Sequence, residues 1–506
     1  MKFLQKKVLL GTVFITGAAI LIIEIAAFRI LAPYFGNTLY STSSIIGVVL
    51  GALSIGYYTG GILADRYPSR SLFFLLILLA GIFSLLIQVL ADTVLRLLGY
   101  SLDMIIGPAV MSTVLFFVPS AILGMMSPFA IKLLSIDSRE MGRISGSVFF
   151  WSTLGSIFGS FAAGFVLIPR LGISTIVISV GLALIAIGGL GSISFLRKHS
   201  IIFLVLTFFI PGGIGLSIDV RNAVSPDNII YEDDGFYSLI RVQDTKIGDR
   251  AARILTLDRD THGVLLRDDF DSFFTYLDYF PIYKLVNPEA KNFLFIGGGA
   301  YVAPRDILLD HANSAIRVEV AEIEPGLLDL ARRYFDLPED SRLTNTVMDG
   351  RRFLANREDG TYDVIFGDAY SSSLSIPSHL VTTEFFNLVR NKLGPHGVFV
   401  GNFIGNPSRG KNLLLASEIK TFRSVFPNSY FFAVTSLKKE GPQNFIFLGI
   451  KNDIYQLDLN SEDARMRMPI LAEKIIDTSI FSFEMAYVFS DDFVPIEYLV
   501  ARSEFQ

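Results

Sequence analysis

Cysteine is absent from all 506 residues. Disulfides, thiolate metal sites and cysteine nucleophiles are therefore excluded, and the chain carries no redox clue to compartment. Charge is scarce too, at 18% of residues against 51% hydrophobic ones and a mean hydropathy of +0.50. So little charge over this length is too apolar for an ordinary water-soluble protein, so part of the chain belongs in lipid. The charge that exists is unevenly placed. Residues 1–217 hold 13 Lys and Arg and 6 Asp and Glu, while the remainder holds 30 and 42. An acidic rear half lacks the cationic surplus that nucleic-acid phosphates require, so no nucleic-acid partner is expected; it suits a cationic small molecule instead.

Seven apolar stretches reach the roughly 17–25 residues needed to cross a hydrocarbon core. They lie near 8–31, 43–63, 72–91, 105–131, 145–168, 173–195 and 201–217. Residues 1–217 thus read as an α-helical, multi-pass membrane domain whose partner is the lipid bilayer. The first stretch follows Lys6-Lys7 but lacks a small-residue cleavage site and is read as retained. In WSTLGSIFGSFAAGF, Gly155 and Gly159 stand four apart, and Ser160 and Gly164 repeat the spacing. That pattern suits close helix packing and leaves a dimer face, hence a homo-oligomer, open. GGILADRYPSR, with Gly61, Asp65 and Arg66, resembles the loop signature of major facilitator transporters. Glu24 and Arg29 are either functional charges at membrane depth, or an interfacial arginine and a carboxylate facing a partner helix.

Lys2, Lys6, Lys7, Arg66, Arg70, Lys132, Arg139, Arg143, Arg197 and Lys198 flank one set of span ends, against Arg29, Arg96 and Arg170 on the other. The positive-inside rule then places the N-terminus in the cytoplasm. Seven full crossings would put the rear half outside, away from any cytosolic cofactor. For a cytoplasmic rear half one stretch has to fail to cross, and 201–217, with Pro211-Gly212-Gly213, is the weakest.

Residues 218–280 contain strand-like runs, DGFYSLIRVQD and ARILTLD, that predict a small β-rich lead-in. From 281 to 506 the pattern becomes that of an α/β domain. FLFIGGG, RVEVAEIEP, TVMDG, YDVIFGDAY and GVFVGNF read as strands separated by helix-length segments, which predicts a mainly parallel, doubly wound, Rossmann-like sheet. Ligands on such sheets lie at the carboxyl ends of the strands. There stand Gly297, Gly298 and Gly299, where missing side chains admit a ligand and N–H groups are expected to face it. Glu322 ends the second strand, placed for ribose hydroxyls; Asp349 ends the third, placed for an adenine amino group; Asp368 ends the fourth, at the centre of the crevice. A dinucleotide G-x-G-x-x-G is not present.

With those residues in place, the rear half resembles the spermidine synthase (aminopropyltransferase) family, and both halves together are similar to its membrane-fused members. The resemblance implies a methyltransferase-like Rossmann domain behind a small β-domain. It implies that the glycine turn, Glu322-Ile323-Glu324 and the pair Asp349-Gly350 hold decarboxylated S-adenosylmethionine, with Asp368 deprotonating the attacking amine. It places Tyr237 on the substrate side, Asp258 in the family's Leu-Asp-Gly turn, and His262 where a nucleoside-contacting glutamine is usual. No metal is implied. The chain departs from the family at positions 300–301, Ala-Tyr in place of Asp-Gly, and at Asp368-Ala369-Tyr370-Ser371-Ser372, which lacks the second acid that would grip a diamine. The family's Tyr-His-Glu segment is matched to Phe273-Phe274-Thr275.

A carboxylate beside an amine can take its proton as nitrogen attacks, and Asp368 is the expected base. Tyr370 flanks it as an aromatic wall or cation–π surface, or simply packs. His379 either lines the site or starts a helix. Asp491 and Asp492 in FSDDFVPIEYL, a segment similar to one in the fused proteins, either replace the missing amine-binding acids or form a solvated patch. Three functions stay open: an aminopropyltransferase acting on a small amine, a methyltransferase of the same fold using S-adenosylmethionine, and a non-catalytic ligand sensor on a transporter-like membrane domain. For the first two the cofactor-binding residues are the same.

Overall fold

The computed structural model describes residues 2–103, 105–135, 140–196, 228–258, 260–268, 274–312, 314–369, 377–469 and 471–505. The chain divides into two compact units, Met1–Asp227 and Asn228–Gln506.

The first unit is all helix. Its elements are α1 (Lys2–Phe35), α2 (Leu39–Arg66), α3 (Arg70–Leu90), α4 (Gly107–Gly124), α5 (Met141–Ala162) and α6 (Ile173–Leu196). With their short continuations they make 6 helices long and apolar enough to cross a membrane among the described residues. The seventh expected stretch, 201–217, lies outside the described residues. Small residues set the closest approaches. A Cβ on Gly155 would stand 1.9 Å from the Phe14 carbonyl oxygen, and one on Gly159 2.4 Å from that of Ala18. The Ser156 hydroxyl donates to the Gly17 carbonyl at 3.1 Å. The glycine spacing is thus used inside the unit, between α5 and α1. The outer face of α5 shows Phe149, Phe150, Phe158 and Phe161 instead. Asp65, from the transporter-like loop, pairs with Lys132 at 2.6 Å. Glu24 and Arg29 are both half-buried along α1.

The second unit holds two sheets. The first is antiparallel, in the order β1 (Ile229–Asp234), β2 (Leu239–Ile247), β3 (Arg250–Leu257), β4 (Asp260–Leu266). The chain then alternates: β5 (Asn292–Ile296), α7 (Val302–Asp310), β6 (Arg317–Glu322), α8 (Leu327–Tyr334), β7 (Leu343–Val347), α9 (Gly350–Ala355), β8 (Tyr362–Gly367), α10 (Thr383–Lys392), β9 (Leu393–Gly405), α11 (Leu413–Val425), β10 (Ser429–Ala433), β11 (Gln443–Ile450) and a terminal α12 (Ile496–Phe505). The larger sheet has the order β10-β11-β9-β8-β5-β6-β7. β5, β6, β7, β8 and β9 run parallel, and β11 is antiparallel to both neighbours. All five strands expected from the sequence are present. Strands β10 and β11, which extend the sheet beyond β9, are additional.

Strand alternation sends Phe293 and Phe295 into one core layer and Leu294 and Ile296 into the other. A sheet buried on both faces reads as a continuous apolar run, which is why these strands were visible in the sequence. Ile240, Val242 and Leu255 of the small sheet join the first layer, so the lead-in packs directly on the sheet that carries the strand ends. The order reverses between β5 and β8, and at such a point the loops leave in opposite directions and open a crevice.

Candidate active site

The crevice begins where β5 ends. Gly297 has φ +92, and a Cβ there would come within 2.4 Å of the Asp368 carbonyl oxygen. Only glycine adopts that conformation freely and lets the ends of β5 and β8 pass so closely. Backbone bonds then stitch the strand ends together: Gly297 N–H to Ala321 O at 2.9 Å and Asp368 N–H to Ile296 O at 3.0 Å.

Glu322 is buried and reaches back across this turn. Its Oε2 accepts from the N–H groups of Gly298 at 2.7 Å and Gly299 at 3.4 Å, and its Oε1 from Glu324 N–H at 2.8 Å. Burial pushes this carboxyl up, and the backbone N–H groups of Glu324, Gly298, Gly299 and Ile323 pull it back. The glycine N–H groups, expected to face a ligand, are therefore occupied by Glu322. What the turn offers to the crevice is bare backbone. Glu324, also buried, accepts from Phe236 N–H and Tyr237 N–H at 2.7 Å each, which pins the β1–β2 hairpin beside the strand ends and leaves the Tyr237 ring half exposed. His262 lies on β4 with its carbonyl oxygen 2.7 Å from where a Gly299 Cβ would be. Asp258, in a left-handed turn at φ 55, accepts from Leu239 N–H at 2.9 Å.

At positions 300–301 the structure explains the unusual pair. The Ala300 Cβ stands 2.1 Å from where a Cβ on Gly263 would be, so small residues are needed on both sides. Tyr301 is held at φ 57, fully buried, with its ring under Gly298 and its hydroxyl donating to Asn345 Oδ1 at 2.8 Å. A left-handed backbone costs a side-chain-bearing residue about 1 kcal/mol, and a buried, hydrogen-bonded ring offsets it.

Asp368 is braced by two side chains. Its Oδ2 accepts from the Tyr276 hydroxyl at 2.8 Å and its Oδ1 from Asn402 Nδ2 at 2.9 Å, while Asn402 is itself oriented by Asn444 at 2.9 Å. Burial raises the Asp368 carboxyl above the usual carboxylate range, and both side-chain bonds oppose the rise. Burial and the neighbouring charge keep Tyr276 protonated, hence a donor. An apolar recess of about 330 Å³, open mouth included, adjoins it, lined by Ile296, Gly367, Ala369, Pro377, Leu380 and Asn402 among others. Tyr276 was missed in the sequence. The segment matched there to Phe273-Phe274-Thr275 supplies its hydroxyl three residues later than the first of them, and the signal was the tyrosine closing that aromatic run.

Asp349 caps α9, accepting from Arg352 N–H at 2.9 Å through Oδ1, and its Oδ2 meets His379 Nε2 at 2.8 Å. The histidine bond, aided by the cap, holds this carboxyl below the usual range. Gly350 is buried against Ile296. Asp491 is engaged by Arg351 in two bonds of 2.7 and 2.6 Å and by the Thr382 hydroxyl at 2.8 Å, so its charge is balanced within the protein; Asp492 is exposed. The structure thus gathers the glycine turn, Glu322 and Asp368 at one place, with Asp349, His379 and Asp491 in a second cluster joined to it through Gly350 and Ile296. Tyr370 lies outside the described residues. Among the described residues no cluster of three or more metal-ligating side chains occurs.

Residues 280–452 match the family described as "Spermine/spermidine synthase domain". The chain is 31% identical over 201 residues to a "Probable polyamine aminopropyl transferase" of Bifidobacterium longum, covering 40% of this chain and 43% of that one. It is 34% identical over 122 residues to an "eEF1A lysine and N-terminal methyltransferase" of Xenopus laevis, covering 22% and 17%. The chain thus spans less than half the length of these relatives. A probable spermidine synthase from Corynebacterium glutamicum of known structure aligns with a TM-score of 0.45 at 21% identity, over 53% of this chain and 97% of that one. The C-terminal part therefore carries a spermine/spermidine synthase domain.

Proposed function

We propose that this protein is a membrane-embedded transferase that moves the aminopropyl group of decarboxylated S-adenosylmethionine onto a small amine, with its second unit facing the cytoplasm. The observation that carries the reading is Asp368, set at the reversal of strand order, bonded by Tyr276 and Asn402 and adjoining the bare turn 297–299. The cradle suits a nucleoside sulfonium. Backbone without side chains admits the sulfur end, Glu322 at the end of β6 is the acceptor for ribose hydroxyls, and Asp349 is the acceptor for the adenine amino group.

The co-substrate supplies an electrophilic methylene carbon on positively charged sulfur. Asp368 orients the amine and accepts its proton as nitrogen bonds to that carbon; the carbon–sulfur bond breaks with its electron pair going to sulfur, and methylthioadenosine leaves. Tyr276 and Asn402 hold the carboxylate in line and favour its charged form against the effect of burial. Tyr237 and His262 flank the acceptor and nucleoside, and Asp492 adds negative charge at the rim.

Methyl transfer from S-adenosylmethionine is the second reading. It is favoured by Ala300, which places no carboxylate where the methionine carboxylate would lie, and by the methyltransferase relative. The test is product analysis with the full chain in detergent. Supplied with the decarboxylated compound and short diamines, it should release methylthioadenosine, whereas S-adenosylhomocysteine formed from S-adenosylmethionine would decide for methylation. Asp368→Asn should lower turnover by about 10²–10⁴, the usual weight of a positioned base, and leave nucleoside affinity within about threefold. Release of neither product would refute both readings.

A further inference from the structure

The family match ends at residue 452, yet the chain returns to the nucleoside end of the site nearly forty residues later. Between Phe483 and Phe493 it runs as a strap over α11 and α10, held by bonds from several sides. Lys420 Nζ donates to the carbonyls of Phe483 at 3.0 Å and Ala486 at 2.8 Å. The hydroxyls of Ser417 and Thr421 accept from Tyr487 N–H at 3.0 Å and Phe489 N–H at 2.9 Å. Thr383 N–H donates to Phe489 O at 3.0 Å, and Ser490 and Phe493 bond each other's backbone. A strap fixed this tightly delivers the next side chain, Asp491, to one place.

There Asp491 grips Arg351 through both oxygens, and its own N–H donates to Glu384 at 3.1 Å. Two parallel bonds fix a guanidinium in plane as well as in position. The same Arg351 donates from Nη1 to the His379 carbonyl at 3.1 Å, and the His379 ring closes the line on Asp349 at 2.8 Å. The sequence of contacts is therefore Asp491, Arg351, His379, Asp349. It joins the C-terminal strap, the start of α9, the loop before α10 and the acid expected to read the adenine amino group.

We propose that Asp491 and Arg351 are positioning residues for nucleobase recognition: through His379 they set the Asp349 carboxylate, so that the segment beyond the synthase domain completes the adenosyl site. The inference rests on the adenosyl reading of that site. Without the pair, His379 loses its backbone anchor, and Asp349 is left with its helix-cap bond alone and free to turn. Affinity for the ribose and sulfur end, held by Glu322 and the glycine turn, stays unaffected.

The test measures binding of 5′-methylthioadenosine and of 5′-methylthioinosine, which differs by replacement of the 6-amino group, to the full chain in detergent. Wild type should prefer the adenosine compound by tenfold or more, because a site built to accept from an N–H group rejects the analogue lacking it. Asp491→Asn should weaken methylthioadenosine binding about tenfold and leave methylthioinosine within about twofold, so that the preference collapses. Arg351→Gln should do the same, and the double variant should lose no more than either single one. Asp491→Glu, which keeps the charge, should recover part of the preference. An unchanged preference in Asp491→Asn, or equal loss for both compounds, overturns the positioning role and leaves the adenosyl site standing. A wild-type chain that binds neither compound overturns the adenosyl reading and this inference with it.

Discussion

Asp368 shows how much of a candidate base can be read from a strand and how much cannot. An acid at the end of a buried parallel strand is legible, because nothing in the strand's packing calls for it. Its partners are not, since the Tyr276 hydroxyl arrives from 92 residues away and Asn402 from 34, and no local periodicity encodes such meetings. The partners also decide how the acid titrates. Burial raises its pKa while the two bonds, which favour the charged form, lower it. Tyr276→Phe removes one of those bonds and leaves burial unopposed on that side, so the pKa rises further. The acid limb of kcat/KM should then move to higher pH. On the acid side of the profile kcat/KM should fall about tenfold, the scale of a hydrogen bond to a charged group, and recover toward wild type as pH rises, as a pH–rate profile would reveal. A loss that is the same at every pH would mean that Tyr276 only shapes the pocket. The roles read for Glu322 and Asp349 are constrained in the same way: both carboxylates already accept bonds from the protein, so a nucleoside must use the lone pairs that remain.

At the scale of elements, the five parallel strands β5 to β9 are visible as apolar runs closed by glycine or acid, and β10 and β11 are not. SYFFA and QNFIFLGI are just as apolar, but they end in no chemically marked residue. Helix α11 carries a feature that no pattern announces. Glu418 is 1% exposed, and among the described residues neither of its carboxylate oxygens has a hydrogen-bond partner. Burial raises its pKa well above the ordinary glutamate value, so the neutral acid is the form that the fold favours. Stability from this group is complete below the unfolded pKa near 4.5 and is lost as pH rises through the higher folded value. Glu418→Met keeps the volume and removes the titration. The variant should gain about 1–3 kcal/mol, the desolvation cost of an unsatisfied buried group, and the gain should widen from pH 5 to pH 8. Thermal unfolding of the second unit in the detergent-solubilised chain measures it, and parallel curves for the two proteins across that range would mean that Glu418 does not titrate in the folded state.

Over the whole molecule, chemistry and topology constrain each other. The transferase reading needs a cytosolic co-substrate, and by the positive-inside rule the distribution of Lys and Arg predicts a cytoplasmic N-terminus. Six crossings, ending with the span Ile173–Ser192, return the chain to the side on which it started; a seventh at 201–217 would export everything after it. The complete lack of cysteine makes this decidable, because any introduced thiol is the sole one. Asn37 lies exposed between α1 and α2, Ser69 exposed between α2 and α3 with no side-chain bond, and Asn460 exposed in the second unit. With a membrane-impermeant maleimide, Asn37→Cys should label in intact cells, whereas Ser69→Cys and Asn460→Cys should label only after permeabilisation. Ser69 controls for the direction of the first two spans, so the Asn460 result isolates the stretch 201–217. If Asn460→Cys labels from outside while Ser69→Cys stays protected, that stretch crosses. Asp368 is then cut off from adenosyl compounds made in the cytoplasm, and a sensor of external ligands becomes the reading that the topology allows.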